Sequence, residues 1–194
     1  MTAPTGRRER KKAQTRKALA DAALALFLDR GYDQVGVREV ADAADVSVTT
    51  LFKYFPSKES LVFDLDEDVE ASLVATVRDR PPGRSIPQAL REHILRREAA
   101  VDASPDGRDL MRLVEDTPAL RHYAREMWLR HEKALTRAIA GEVGAPEDDV
   151  ACAALARFAL ESGELARGRD DLPRTIDAVF TLLEQGWSAA HPDA

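Results

Sequence analysis

Between Val37 and Phe55 the chain reads VREVADAADVSVTTLFKYF, and the side chains able to do chemistry there are hydroxyls, a phenol and an amine: Ser47, Thr49, Thr50, Lys53 and Tyr54, with Arg38 before them and Lys58 after. None of them has a histidine or carboxylate spaced as a catalytic partner. Hydroxyls and cations clustered on short helical spacing make hydrogen bonds and ion pairs, the contacts that read base edges and hold phosphates. The sequence carries no glycine-rich phosphate loop, no Gly-x-Ser-x-Gly, no His-Glu-x-x-His and no paired cysteines. His122 and Glu126, one helical turn apart, read as an ion pair or a solvated face rather than a metal site. The chain therefore does not read as an enzyme, and it implies no catalytic residue, metal or cofactor.

Such groups work only when a small core holds them outward. Val40, Ala41 and Ala44 share one side of a short helix from Val37 to Ala44, and a second short helix runs from Val48 to Tyr54 and ends before Pro56. Two short helices cross steeply only if the first offers a small residue at the crossing, which Ala41 supplies, while Val46 and Leu51 plug the gap. This is the logic of a helix-turn-helix. Ser47 is placed to cap the second helix, leaving that helix end with Val48, Thr49 and Thr50 facing outward. Threonine hydroxyls suit base edges or phosphates, and the methyls of Val48 and Thr49 suit a thymine methyl. Lys53, Tyr54 and Lys58 offer flanking phosphate contacts. Leu51, Phe52 and Phe55 read as core from the burial preference of such residues.

The rest of the chain is helical in pattern, with no strand. A helix from Arg10 stops at Gly31, and Ser57 begins a longer one carrying Leu61, Val62, Leu65, Val69, Leu73, Val74 and Val77. Further helices are expected over Ile86–Val101, Arg108–Asp116, Pro118–Ala140, Pro146–Gly168 and Leu172–Ala190. The expected fold is all-α, about nine helices in three parts: a flexible basic arm over 1–9, a DNA-binding domain over 10–56, and a helical sensing and dimerisation domain over 57–194. Charge divides the same way. Residues 1–60 hold eleven Lys or Arg against eight acids, so the net −6 of the chain leaves −9 on the remainder. A polyanion is drawn to the first third and repelled by the rest. One cysteine, Cys152, precludes an intrachain disulfide and reads as a packing residue. With no leader pattern and no apolar run of membrane-spanning length, a cytoplasmic protein without a membrane partner is expected.

Residues 10–65 resemble the N-terminal domain of the tetracycline-repressor (TetR) family. The helix from Arg16 to Arg30, then Gly31-Tyr32, Val37-Arg38-Glu39-Val40-Ala41, Val46-Ser47, Leu51-Phe52, Tyr54-Phe55 and Lys58-Glu59 fall at that family's spacing. The resemblance implies that Arg38, Val48, Thr49, Thr50, Phe52, Lys53, Tyr54 and Lys58 stand where members touch DNA, beside Ser47 at the same helix end. Asp45 departs from the pattern, since glycine is common there. Aspartate tolerates a left-handed backbone better than most residues, so the expected cost is small.

A single helix-turn-helix makes few base contacts, so specific binding calls for two, one helical turn of double-stranded DNA apart on an inverted repeat. The stripes Val150, Ala154 and Phe158, and Ile176, Val179, Phe180, Leu183 and Trp187, suit a four-helix bundle between two copies, or else the chain's own core. The resemblance, to a family whose last two helices form the dimer interface, favours the homodimer. His93, Arg97, Met111, Val114, Tyr123, Met127, Trp128 and His131 carry the bulky and polar-tipped side chains of a small-molecule pocket. The expectation is a repressor released by a small, lipophilic effector. An adaptor of the same fold that binds proteins instead of DNA would have no use for the basic N-terminus and capped helix.

Overall fold

The computed structural model describes residues 6–190, the side chains of Arg7, Arg8 and Ala190 aside. Nine α-helices and two short 3-10 turns make up its regular structure, with no strand among the described residues. They are α1 (Arg7–Arg30), α2 (Val37–Ala43), α3 (Val48–Tyr54), α4 (Asp66–Arg78), α5 (Ile86–Ala103), α6 (Pro105–Asp116), α7 (Pro118–Val143), α8 (Val150–Ala166) and α9 (Leu172–Ala190). Of the expected arm, Met1 to Thr5 lie outside the described residues, and Arg7 to Glu9 form the first turn of α1.

Two compact units emerge. The first takes the chain up to Asp64 together with Arg108–Tyr123, and the second takes Leu65–Gly107 together with Ala124 onward. This differs from the boundary drawn at residue 57. Leu120 is buried in the first unit's core, and Leu110, Leu113 and Val114 pack against that core, which sequence order alone does not reveal.

In the first unit α1 buries Leu19, Ala23 and Phe27 at spacings of four, one face of a helix. Gly31 ends it with φ 84°, a left-handed conformation that costs glycine little. The long helix expected from Ser57 is instead two pieces. Ser57 and Ser60 cap each other (Ser57 N to Ser60 Oγ 3.2 Å, Ser60 N to Ser57 Oγ 3.3 Å) around a single 3-10 turn, Glu59–Leu61. Leu61 and Val62 then enter the first unit's core, and α4 starts at Asp66, where Asp66, Glu67 and Asp68 supply the negative charge that a helix N-terminus favours.

The second unit packs α4, α5, α8 and α9 around Val77, Leu90, Ile94, Leu155, Ile176 and Phe180, with Leu135 and Ile139 from α7. Ser85 opens α5 with a reciprocal cap to Gln88, and Asp149 opens α8 by accepting from Cys152 N at 2.8 Å, so the expected start at Pro146 moves to Val150. Small residues on α8, Cys152, Ala156, Ala159 and Gly163, are all buried and let neighbouring helices approach. Cys152 is one of these packing residues; burial, with Asp149 beside it, pushes its thiol up to about 12. No helix among the described residues is long and apolar enough to cross a membrane.

Candidate nucleic-acid interface

Four backbone hydrogen bonds set the turn between α2 and α3. Ala44 N donates to Val40 O (3.1 Å), Asp45 N to Asp42 O (3.1 Å), Val46 N to Ala41 O (2.9 Å) and Leu51 N to Ser47 O (3.0 Å). The bond from Val46 spans five residues, the signature of a helix closed by one left-handed residue. That residue is Asp45, φ 54°, the only non-glycine with positive φ among the described residues. Aspartate thus stands where the expectation placed a left-handed backbone.

Beneath the turn, Val40, Ala41, Leu51 and Phe55 are buried against Leu19, Ala23 and Phe27 of α1. Ala41 at the crossing and Leu51 in the gap are as the spacing predicts. Phe52 is not core: it stands 47% exposed on the outer side of α3. Its neighbour Leu51 points into the core, because one residue along a helix turns the side chain by about 100°.

Ser47 caps α3 through Thr50 N (3.1 Å), and its Oγ also lies 2.9 Å from Thr50 Oγ1. Thr50 is therefore half-buried and tied into the cap, while Thr49, Phe52 and Lys53 are exposed. Val48 and Tyr54 are half-buried and pack against the core, and Arg38 is exposed on α2. The outward group narrows to Arg38, Ser47, Thr49, Phe52 and Lys53, with Thr50 as a member whose hydroxyl already has a partner.

Lys58 is engaged inward. Its Nζ donates to Tyr32 O at 2.5 Å and sits 3.9 Å from the centroid of the Tyr32 ring and 5.5 Å from that of Phe27. Burial lowers its pKa, partly opposed by Asp33, Glu59 and Glu39. Tyr32 Oη donates to Glu59 Oε1 at 2.9 Å, and burial followed by Glu59 pushes the phenol's pKa upward. Lys58 thus joins the end of the helix-turn-helix to the Gly31 turn, which displaces its reading as a free phosphate contact. The sequence named Tyr32 only within a motif and gave no sign that it seats Lys58.

Two further contacts escaped the sequence reading. Arg16, in the basic stretch of α1, donates from Nε to Asp64 Oδ1 at 2.6 Å and lies 4.9 Å over the Phe55 ring, so its charge is spent holding the unit together. Glu39 accepts from Gly36 N (2.9 Å) and pairs with Arg30 (2.7 Å); the Gly36 bond first, then Arg30, holds its carboxyl below the ordinary range. Both pairs are 9 to 48 residues apart and have no periodic signal. Arg10, Lys11 and Lys12 remain exposed near the start of α1, where their charge opposes the helix dipole and favours a nearby anion.

The residues expected to line an effector pocket are drawn from both units. Met111, Val114 and Tyr123 belong to the first unit, where Tyr123 stacks on Phe63 (5.2 Å), and His93, Arg97, Met127, Trp128 and His131 belong to the second. Two clefts in the second unit, of about 320 Å³ by Arg84, Arg91 and Asp177 and about 550 Å³ by Asp66, Glu70 and Arg130, are lined by none of the eight. The dimer stripe also needs correction: Ile176, Phe180 and Trp187 fill the second unit's own core. What α8 and α9 leave exposed is Val150 (80%), Phe158 (47%), Leu165 and Leu182 (72%), with Ala154, Val179 and Leu183 half-buried.

Comparison with known proteins agrees with this architecture. Residues 19–65 match the family described as bacterial regulatory proteins, tetR family. The HTH-type transcriptional regulator TcmR of Streptomyces glaucescens is 33% identical over 153 residues, covering 74% of this chain and 67% of TcmR. The HTH-type transcriptional repressor KstR of Rhodococcus jostii is 44% identical over 73 residues, 37% of this chain and 34% of KstR. A TetR-family regulator from Streptomyces coelicolor superposes with a TM-score of 0.68 over 99% of this chain and 100% of that one, at 20% identity, a likeness of fold. A capped, outward-facing α3 on a buried Ala41–Leu51 crossing, at the family's spacing and with these relatives, identifies the chain as a DNA-binding transcriptional regulator that belongs to the TetR family.

Proposed function

We propose that this regulator represses transcription as a homodimer on an inverted-repeat operator and that a small lipophilic effector releases it. The observation that carries the reading is α3 itself: Ser47 fixes its start, Leu51 anchors it, and Thr49, Phe52 and Lys53 project from the exposed side. A side chain at a helix N-terminus that is both capped and solvent-facing suits insertion in a major groove. Thr49 and Phe52 supply methyl and ring contact to thymine methyls, Lys53 and Arg38 supply cations for phosphates or guanine, and Arg10, Lys11 and Lys12 lie near the start of α1 for further backbone contacts.

Dimerisation is supported by the exposed apolar stripe Val150, Phe158, Leu165 and Leu182, which water disfavours and a second copy would cover. Repression is supported by KstR, a repressor by description. Effector control is assigned to the second unit, around Arg97, Met127, Trp128 and His131. An effector shifts operator affinity only by its preference for the non-binding state.

Selection of bound sequences from a random DNA pool by the purified chain tests the reading. An enriched inverted repeat, bound by dimers and silencing a promoter that contains it, is the expected result. Enrichment of a single half-site by a monomer, or activation from the enriched site, overturns the dimer or the repressor. Leu182→Glu should give monomers in sedimentation and lose the palindrome.

A further inference from the structure

Two polar atoms in the second unit are fully enclosed yet have no hydrogen-bond partner among the described residues, Nη1 of Arg97 and Nδ1 of His131. Both side chains lie against one indole. The Arg97 guanidinium lies 5.1 Å from the centroid of Trp128, and the His131 ring meets Trp128 edge-on at 5.1 Å. An enclosed polar atom without a partner forfeits its hydration, so such atoms are rare in a folded protein and mark a place where another molecule completes the bonding. His131 is 0% exposed, whereas the Arg97 side chain is 21% exposed, which gives the cluster one rim at the surface.

The remaining bonds fix what each orphan asks for. Arg97 donates from Nε (3.2 Å) and Nη2 (2.6 Å) to Glu98 Oε1, and Glu98 is buried. Gly163 makes room for that carboxylate, since a Cβ there would stand 2.6 Å from Glu98 Oε1. Nη1 is left as a donor whose charge is already balanced. The second of the pair, His131, has its Nε2 2.6 Å from Asp66 Oδ1, and Asp66 Oδ2 takes Arg130 at 2.6 Å. A carboxylate oxygen accepts, so Nε2 carries the proton and the Nδ1 of a neutral ring presents a lone pair. The cluster holds two balanced ion pairs, one free donor and one free acceptor, and an added buried charge would have no counter-ion.

From this geometry we infer that the effector of the proposed function is an uncharged hydroxy-carbonyl compound with an apolar body, its carbonyl oxygen accepting from Arg97 Nη1 and its hydroxyl donating to His131 Nδ1. The inference rests on the proposed effector control and sharpens it from lipophilic to a defined pair of polar groups. Trp128, half-buried and in contact with both, offers its ring to the apolar body. A site that pairs both groups rejects analogues lacking either, because the orphaned atom is then sealed without water.

The test is calorimetric titration of the full chain with 2-, 3- and 4-hydroxybenzophenone, benzophenone, 4-benzylphenol and 4-benzoylbenzoate. At least one hydroxybenzophenone should bind tenfold or more tighter than benzophenone, which lacks the donor, and than 4-benzylphenol, which lacks the acceptor. The charged 4-benzoylbenzoate should be weakest. Arg97→Lys keeps the charge beside Glu98 but removes Nη1, so the preference over 4-benzylphenol should vanish while that over benzophenone persists. His131→Phe should do the reverse. Because each preference is a ratio measured within one variant, a general loss of stability does not imitate it. Equal affinities across the set, tighter binding of the carboxylate, or no binding by any compound, as when water alone bridges the two atoms, overturns the inference. Operator titration separates it from the reading beneath it. Binding with both preferences but unchanged operator affinity removes effector control and leaves the site, whereas release by compounds without the pair, none of which depends on Arg97 or His131, leaves the control and removes the site.

Discussion

The outward surface of the first unit and the helix packing of the second rest on polar contacts of different reach along the chain. In the first unit the contacts that shape the reading head join residues three apart: Gly36 with Glu39, Ser47 with Thr50, Ser57 with Ser60. In the second, besides local caps, pairs that join separate helices span 62 to 96 residues: Arg80 with Glu142, Asp66 with His131, Arg91 with Asp177, Gln88 with Glu184. A contact three residues long closes almost no loop and forms as soon as its helix starts, whereas a distant one exists only once the helices have docked. The outward surface of the head is thus set by local bonds on an apolar core that Arg16 and Lys58 brace from farther along the chain, and the second unit's helices are cross-linked by polar pairs that depend on the whole packing.

The largest effect should come from the apolar part of the head. Leu51→Ala removes a fully buried side chain and should cost about 2 to 5 kcal/mol in denaturant unfolding. A loss no larger than that of a cap would mean that the local hydrogen bonds, not the core, hold the head. Next is Asp66→Ala, which strips the enclosed His131 of its Nε2 partner and should cost about 1 to 3 kcal/mol. Much of that cost should disappear in a His131→Phe background; additivity of the two would show that the pair is not coupled.

Ser47→Ala should cost about 1 kcal/mol, the usual value of a helix cap, and weaken operator binding as well. Thr49→Ala separates the two roles: melting should be unchanged and operator affinity reduced. A destabilised Thr49→Ala would place that side chain in the fold. Lys58→Ala should lower stability while leaving the salt slope of DNA binding unchanged, because its ammonium is held by Tyr32; a slope flattened by about one unit restores it as a phosphate contact.

The smallest effect is one of pH. Burial, then Arg97 and Arg96, lowers the pKa of His93, which also bonds Thr76 at 2.9 Å. The unfolded chain then binds more protons than the folded one between the folded pKa and the ordinary value of 6.5. Stability should rise with pH across that window and level off above it. His93→Phe should flatten the rise, and a rise that survives the substitution belongs to another group.

Most helix positions, the α2–α3 crossing, the Ser47 cap and the left-handed Asp45 were legible because each depends on neighbours within a few residues. Side-chain direction was less so: Phe52 and Leu51 are adjacent and equally apolar in type, and only the core they meet sends one inward. The same limit explains the dimer stripe. Ile176, Phe180 and Trp187 lie on one face of α9 by spacing, but spacing defines a face without saying what covers it, and α5 and α8 of the same chain do.

The sequence alone determined what local physics decides: an all-helical chain, a capped recognition helix on a small-residue crossing, and a basic first third against an acidic remainder. Tertiary structure decided which chain-distant groups meet. It drew α6 into the first unit's core, made braces of Lys58 and Arg16, and brought Arg97 and His131 against Trp128 with one enclosed polar atom each unpaired. Those outcomes depend on docking between segments tens of residues apart, where no periodicity in the sequence reports which partner is met.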